Sequence, residues 1–505
     1  MSETNKLINE QTSSKLSNIK PSISDKLFIF DYPIITENLY RIKFGSFIFI
    51  IALLFLRIYD KLEGEWENSN MCKKTDPIWM FDKRLEVEHD ILCQGKNSTH
   101  ICYRNAIKSY QSDKGVICKM NDFTLDPSKW QNDTSEYRGP IDYKSKGFPL
   151  ISKGFFNMKC YNQEYKMNEV NYIYEFYFNS WNYSLYDSSN YNITDEKKIE
   201  ELAPDKTIFF ISRNQDSPNL FHGGSEFLNA FSLMKSLSLK PENIQVVFLE
   251  SLSFDEDPLY DLYKELISRG ASPIHISNLT KPYHITNAIH VPVNWDSPCF
   301  IFSDVPYCKY QTKTYELLNK DIKEYMNIPP FYDSIGYDKD IFYYPLTIIN
   351  PISKYYTKFV TIQWRKVYPR GRTGQQRVIG NGPELAEALA EKLPKNVLIR
   401  LVDTASLPFK EQIAIMQKTD FLIAEYGSGL FLSIFLPTKA IVQEIYHKDN
   451  MNVLQLMSSL SGHTTYSDFI KADVEIIEDN EVLFFDVKQF VRTVLNHMKK
   501  NNFNQ

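Results

Sequence analysis

From Thr207 onward, short apolar runs alternate with stretches in which apolar residues recur every three or four positions. "TIFFIS", "IQVVFLE" and "PIHIS" read as strands, and "FHGGSEFLNAFSLMKSL" and "DPLYDLYKELISRG" as the helices between them. After a polar, Tyr- and Pro-rich stretch the rhythm resumes with strand "YTKFVTIQWR", helix "GPELAEALAEKL", strand "NVLIRLVD" and helix "FKEQIAIMQKT". Strand "DFLIAEY", helix "GLFLSIFLP", strand "AIVQEIY" and helix "NVLQLMSSLSG" follow. Strands alternating with helices of about ten residues predict parallel sheets covered on both faces. The interruption at 311–355 predicts two doubly wound halves with a cleft between them, 205–350 and 351–505.

The pattern before Thr207 differs. Residues 1–41 are polar and rich in Ser, Asn and Lys, which predicts a disordered tail. In "RIKFGSFIFIIALLFLRIYD" the stretch Phe44 to Leu56 carries no charge, and the wider span 42–59 has Lys43 and Arg57 only near its ends. As a helix that span measures roughly 27 Å, close to the hydrocarbon core of a thin bilayer. It reads as a transmembrane signal anchor. Lysines and arginines precede it while Asp60, Glu63, Glu65 and Glu67 follow, which puts the N-terminus in the cytosol and predicts a single-pass type II protein. Residues 60–204 are rich in Tyr and Asn, and "VNYIYEFYFNSWNYSLY" alternates like strand, so they read as a lumenal stem and N-terminal region of irregular or β structure.

Other features agree with that topology. The N-x-S/T acceptors Asn97, Asn132, Asn182, Asn192 and Asn278 all follow the span. So do the seven cysteines: five lie between 72 and 160, suggesting a stapled region ahead of the main core, while Cys299 and Cys308 could close a short loop. An odd number leaves one unpaired. No C-x-x-C pair has a matching partner, which disfavours zinc. A net charge of −5 with dispersed basic residues argues against nucleic acid as a partner.

In open α/β sheets ligands bind beyond the carboxyl ends of the strands. "AEYGSGLFLSIFLP" therefore stands out: a strand ends, Gly427, Ser428 and Gly429 turn the chain, and an apolar helix begins. Backbone N–H groups at such a turn, with glycines that let a ligand approach, suit an anion such as a diphosphate. The alternative is a turn that only packs strand against helix.

Three blocks, in order and spacing, resemble glycosyltransferase family 61 over residues 205–475. They are "NLFHGGSEFLN", "VTIQWRKVYPRGRTGQQRVIGNGPEL" and "FKEQIAIMQKTDFLIAEYGSGLFLSIFLP". The likeness is strongest to its EGF-domain-specific O-linked N-acetylglucosamine transferases, with protein O-mannose N-acetylglucosaminyltransferases and β-1,2-xylosyltransferases as relatives. Where the family signature has histidine this chain has Tyr426, and Ser428 replaces its alanine. A tyrosine hydroxyl donates to phosphate but carries no positive charge.

The resemblance implies two facing Rossmann-like domains (GT-B type), an acceptor domain at 205–350 and a nucleotide-sugar domain at 351–505. It also implies an inverting transferase in the Golgi or ER membrane. A sugar, N-acetylglucosamine or xylose, would pass from a UDP-sugar donor to a hydroxyl of a glycoprotein or glycan acceptor. Such displacement needs a base for the acceptor hydroxyl and compensation for charge on the departing diphosphate. His222 and Glu226, four apart on a helix start, are the candidate base and its orienting partner. Arg365, Asn381, Tyr426, Gly427, Ser428 and Gly429 are the candidate nucleotide-sugar contacts, and Arg370, Arg372 and Arg377 make the loop after Arg365 basic.

No covalently bound cofactor is expected, and no divalent metal requirement. The triplets Asp255-x-Asp257 and Asp338-x-Asp340 would hold a metal in a single-Rossmann transferase, but such short pairs of a common residue fit a solvated loop or helix start better. A catalytically inactive lumenal glycan- or nucleotide-binding protein of the same fold is the competing reading, motivated by Tyr426. Nothing resembles a hydrolase nucleophile elbow.

Overall fold

The computed structural model describes residues 72–74, 76–86, 89–103, 117–132, 149–151, 154–158, 199–211, 220–249, 257–291, 308, 310–329, 341–344, 352–364, 377–448, 453–477 and 480–503. The 42–59 stretch lies outside them, and among the described residues no helix is long and apolar enough to cross a membrane. Residues Glu65–Gln505 form one compact unit.

Its first sheet contains β1 (His89–Gln94), β2 (Thr99–Tyr103), β3 (Ile117–Leu125), β4 (Thr207–Ile211), β5 (Ile244–Phe248), β6 (Ile274–His275) and β7 (Tyr283–Val291). The spatial order is β1-β2-β3-β7-β4-β5-β6, with the short strand Phe156–Asn157 also paired to β3. Strands β7, β4, β5 and β6 run parallel, and β1 to β3 extend the sheet antiparallel from β7. The region read as a stem thus supplies three strands of this sheet. A parallel order of β6-β5-β4-β7 reverses direction between β4 and β7, which makes that boundary a switch point.

The second sheet contains β8 (Ile341–Tyr344), β9 (Lys358–Gln363), β10 (Val397–Val402), β11 (Phe421–Glu425), β12 (Ile441–Tyr446) and β13 (Thr464–Phe469), in the order β8-β10-β9-β11-β12-β13. All but the antiparallel edge strand β8 are parallel. Its switch point falls between β9 and β11. A smaller sheet joins Arg377–Ile379, Asn480–Phe485 and Ala472–Ile477.

Helices α1 (Pro77–Leu85), α2 (Leu220–Ser236), α3 (Lys313–Tyr325), α4 (Gly382–Ala390), α5 (Phe409–Met416), α6 (Val453–Leu460) and α7 (Val487–Lys500) cover these sheets. The alternation along β11 shows how. Phe421 and Ile423 point into a core with Leu385 and Leu389 of α4 and Phe490 and Val494 of α7. Leu422 and Ala424 point the other way, into a core with Ile413 of α5, Leu460 of α6, and Phe227 and Phe231 of α2. Phe209 and Ile211 of β4 enter that second core from the first sheet. The α/β expectation therefore holds, and one apolar core is shared across the 350/351 boundary.

The cysteine pairing differs from the expected short loop. Cys308 bonds Cys72, 236 residues away, and Cys102 bonds Cys118 across β2 and β3. Beside the first bridge, the Asp76 carboxylate accepts from the N–H groups of Ile78 and Trp79 at the start of α1. It also accepts from the Thr314 N–H and hydroxyl at the start of α3. One carboxylate thus caps two helices, each of which begins with unbonded N–H groups. Residues 72–85 are tied to the body rather than forming a separately stapled region.

Candidate active site

At the second sheet's switch point, β9 ends in Gln363 and β11 in Glu425, and the expected turn follows β11. Ser428–Phe435 winds as a 3₁₀ helix rather than an α-helix, and all of Leu430 to Phe435 is buried. Its first internal bond runs from the Leu430 N–H to the Gly427 carbonyl, so the Ser428 and Gly429 N–H groups precede the internal ladder. Both residues are partly exposed. Gln363 braces them: its side-chain amide donates to the Gly429 carbonyl at 3.1 Å, and a Cβ added at Gly429 would meet Gln363 Oε1 at 3.2 Å. Tyr426 is half-buried against the shared core, and its N–H donates to the Ile445 carbonyl at 2.9 Å.

The first sheet contributes α2, the helix that follows β4 at the other switch point. It is buried nearly all round. Gly223 and Gly224 lie one and two residues past His222, and a Cβ built at Gly224 would lie 2.1 Å from the Phe431 ring. That ring, on the fourth residue of the 3₁₀ helix, therefore sits directly on the backbone of α2 near its start. The helix starts of the two switch points meet there. His222 is half-buried on the same turn, with its pKa lowered to about 4 by desolvation, so its imidazole is neutral near pH 7. Glu226, one turn on, is 1% exposed.

The other predicted residues fall elsewhere. Arg365, Arg370 and Arg372 lie outside the described residues, and only the backbone of Arg377 is described. Asn381 is 6% exposed and engaged at both ends of its amide, accepting from the Phe485 N–H at 3.1 Å and donating to the Phe485 carbonyl at 2.8 Å. Its side chain ties the start of α4 to the small sheet. The Asp257 carboxylate accepts from the Leu259 N–H at 2.8 Å, a local turn contact, while Asp255, Asp338 and Asp340 lie outside the described residues. Asn97 and Asn278 are exposed, Asn132 lies in the strand Trp130–Asn132, and Asn182 and Asn192 are outside.

Sequence reasoning passed over Gln363, Gly224 and Phe431, whose roles depend on contacts across the fold. It also passed over Trp364, whose indole N–H donates to the Ile379 carbonyl at 2.9 Å and whose ring would touch a Cβ at Gly382 at 3.0 Å. Trp364 locks the end of β9 against the start of α4. Glu444, 1% exposed on β12, accepts from the Ser467 hydroxyl at 3.2 Å. A polar residue two before a strand's end carries no signal that separates a site from a structural contact.

Comparison with known proteins bears on the strands, turn and 3₁₀ helix just described. Residues 275–443 match the model of the family described as Glycosyltransferase 61. This stretch is thus similar to a family 61 glycosyltransferase domain. The domain takes in the second and third resembling blocks, while the first, with His222 and Glu226, lies upstream of it. Two relatives agree with the domain. The EGF domain-specific O-linked N-acetylglucosamine transferase of Drosophila melanogaster is 32% identical over 108 residues, 19% of this chain and 21% of its own length. The protein O-linked-mannose beta-1,4-N-acetylglucosaminyltransferase 2 of Takifugu rubripes is 25% identical over 274 residues, 52% of this chain and 42% of its own. The chain thus spans less than half the length of either, and both names support a transferase reading.

Proposed function

We propose that this chain is an inverting glycosyltransferase that moves a sugar from a UDP-sugar to a hydroxyl of a glycoprotein or glycan. The observation that carries the reading is the meeting of the two helix starts at Gly224 and Phe431, each following a switch-point strand of its own sheet. Ligands of doubly wound sheets bind at such points, so two of them in contact offer one site for donor and acceptor together. The GT-B arrangement, with 205–350 receiving the acceptor and 351–505 the nucleotide sugar, is part of the proposal.

In this reading the Ser428 and Gly429 N–H groups, with the Ser428 and Tyr426 hydroxyls, receive the diphosphate. Arg365, two residues past Gln363, supplies the forked positive charge that Tyr426 lacks. His222 takes the proton of the acceptor hydroxyl as oxygen attacks the anomeric carbon and UDP leaves from the opposite face, inverting that carbon. A pKa of about 4 keeps His222 neutral near pH 7, and Glu226, one turn on along α2, is assigned to stabilise the imidazolium that forms. No step requires a divalent metal. Asn381 holds the start of α4 and acts on the donor only through that helix. The proposal extends to N-acetylglucosamine or xylose as the sugar and to a Golgi or ER membrane setting, with 42–59 as anchor and glycans at the exposed Asn97 and Asn278.

The experiment is a donor panel: the full-length chain, solubilised in detergent, is offered UDP-sugars with glycopeptide acceptors, and UDP release and acceptor mass are read. Release with one donor, chelator-resistant and lost in His222→Ala, is the expected result. Absence of release from every donor, together with UDP binding by calorimetry, would instead establish the inactive binding protein that Tyr426 suggests. No binding of UDP at millimolar concentration overturns both readings.

A further inference from the structure

A second cluster lies on the buried face of the first sheet opposite to α2, turned away from the shared core. Cys102 on β2 stands directly opposite Cys118 on β3, and Cys118 stands opposite His290 on β7. His100, two residues before Cys102, shares its face because side chains alternate along a strand. Its ring Nε2 is 3.2 Å from Cys102 Sγ. Adjacent strands therefore bring two sulfurs and two imidazoles to one patch, and all four residues are buried at 1–4% exposure. Ligand atoms of His100, Cys102 and Cys118 lie within 4.8 Å of one another. Burial, and after it the charge of His290, lowers the His100 pKa to about 3.

We propose that this patch is a zinc site in reserve: when the Cys102–Cys118 disulfide is reduced, the two thiolates, His100 and His290 take up one Zn2+ in a tetrahedral Cys2His2 shell. The ligand types are those of structural zinc, and bonds of ~2.0–2.3 Å place tetrahedral ligand atoms about 3.3–3.8 Å apart. Opening the disulfide lets the sulfurs separate toward that spacing while the three strands stay paired. The ligands come from three strands, so the C-x-x-C spacing of a zinc ribbon is not required.

The chemistry balances with a dithiol as reductant. Its thiolate attacks one sulfur of the Cys102–Cys118 bond, its second thiol resolves the mixed disulfide, and it leaves as a disulfide. Cys102 and Cys118 gain two electrons and two protons. Zinc then displaces both thiol protons. Disulfide and metal are thus alternative cross-links of the same strands, one for oxidising and one for reducing surroundings.

Co2+ serves as the spectroscopic probe. The full-length chain is reduced, freed of reductant without air, and titrated with Co2+. One equivalent giving tetrahedral d–d bands and thiolate-to-cobalt charge transfer, both erased by Zn2+, is expected. His100→Ala and His290→Ala should each weaken Co2+ binding by about 10-fold or more, whereas Cys72→Ser with Cys308→Ser should leave it unchanged. Circular dichroism of the oxidised histidine variants, still held by their disulfides, checks that they fold. As a second readout, Zn2+ should shield Cys102 and Cys118 from alkylation in the reduced chain. Absent bands, bands that persist in both histidine variants, or alkylation of Cys102 in the presence of Zn2+ would overturn the proposal.

Discussion

Substituting Gly224 by alanine tests whether the two helix starts are locked together. In the native packing the new Cβ would lie 2.1 Å from one carbon of the Phe431 ring and 2.4 and 2.5 Å from two others. Ordinary carbon contacts begin near 3.4 Å, so the ring or the helix must retreat by about 1.3 Å. Phe431 is fully buried and stacks edge-on against Phe435 at 5.8 Å, so no open space receives it. Overpacking of this kind costs about 1–3 kcal/mol, while replacing glycine in a helix returns about 1 kcal/mol. A net loss of about 1 kcal/mol is expected, with a disproportionate fall in transferase activity. Phe431→Leu trims the ring edge and costs about 1–2 kcal/mol by itself. In that background Gly224→Ala should become neutral or stabilising, giving a coupling energy of about 2 kcal/mol in a double-mutant cycle. Urea unfolding of the four proteins measures it. Additive effects within about 0.5 kcal/mol would refute the packing argument.

His222→Gln should lower kcat by about 10²–10⁴-fold if the imidazole is the base. Because desolvation holds its pKa at about 4, wild-type activity should fall on the acid side near that value rather than near 6.5, and the limb should vanish in the variant. His463 is fully buried, and its ring N–H donates to the Ser433 carbonyl at 3.0 Å; its pKa is lowered to about 4 by burial. The unfolded chain therefore binds a proton first, so stability is complete above pH 6.5 and declines as pH falls toward 4. At pH 5 the loss is about 2 kcal/mol for this group, and His463→Gln should reduce the difference in urea stability between pH 7.5 and pH 5 by that amount; an unchanged difference would count against it. Removing the Cys72–Cys308 bridge by a double serine substitution should cost about 2–5 kcal/mol. Peptide mapping under non-reducing conditions should find Cys308 joined to Cys72, and a Cys299–Cys308 peptide would contradict the fold.

What could be read from the sequence was local. The change from period two to period four marks β4, α2 and β5 in turn, and the small residues after "DFLIAEY" mark the turn that ends β11. Such signals lie within a few residues of one another. The place of β1 to β3 in this sheet was opaque because the one strand that joins them to its parallel part, β3, pairs with β7 more than 150 residues away. The bridge of Cys308 to Cys72 was hidden for the same reason, while the nearer Cys299 suggested a loop. Asn381 looked like a ligand because the sequence does not contain Phe485's position in space. The Gly223-Gly224 pair was visible as small residues in a helix, yet only the ring of Phe431 explains why a helix carries them.

Asp76 and the neighbouring bridge have a mechanical consequence. Tension entering the folded body along the chain at Cys72 is delivered at once to Cys308 through a covalent bond and to the start of α3 through a shared carboxylate. It does not peel α1 away residue by residue. The load passes into α3, whose inner residues belong to the shared core, and the bridge bypasses β1 to β3, which come next in the chain.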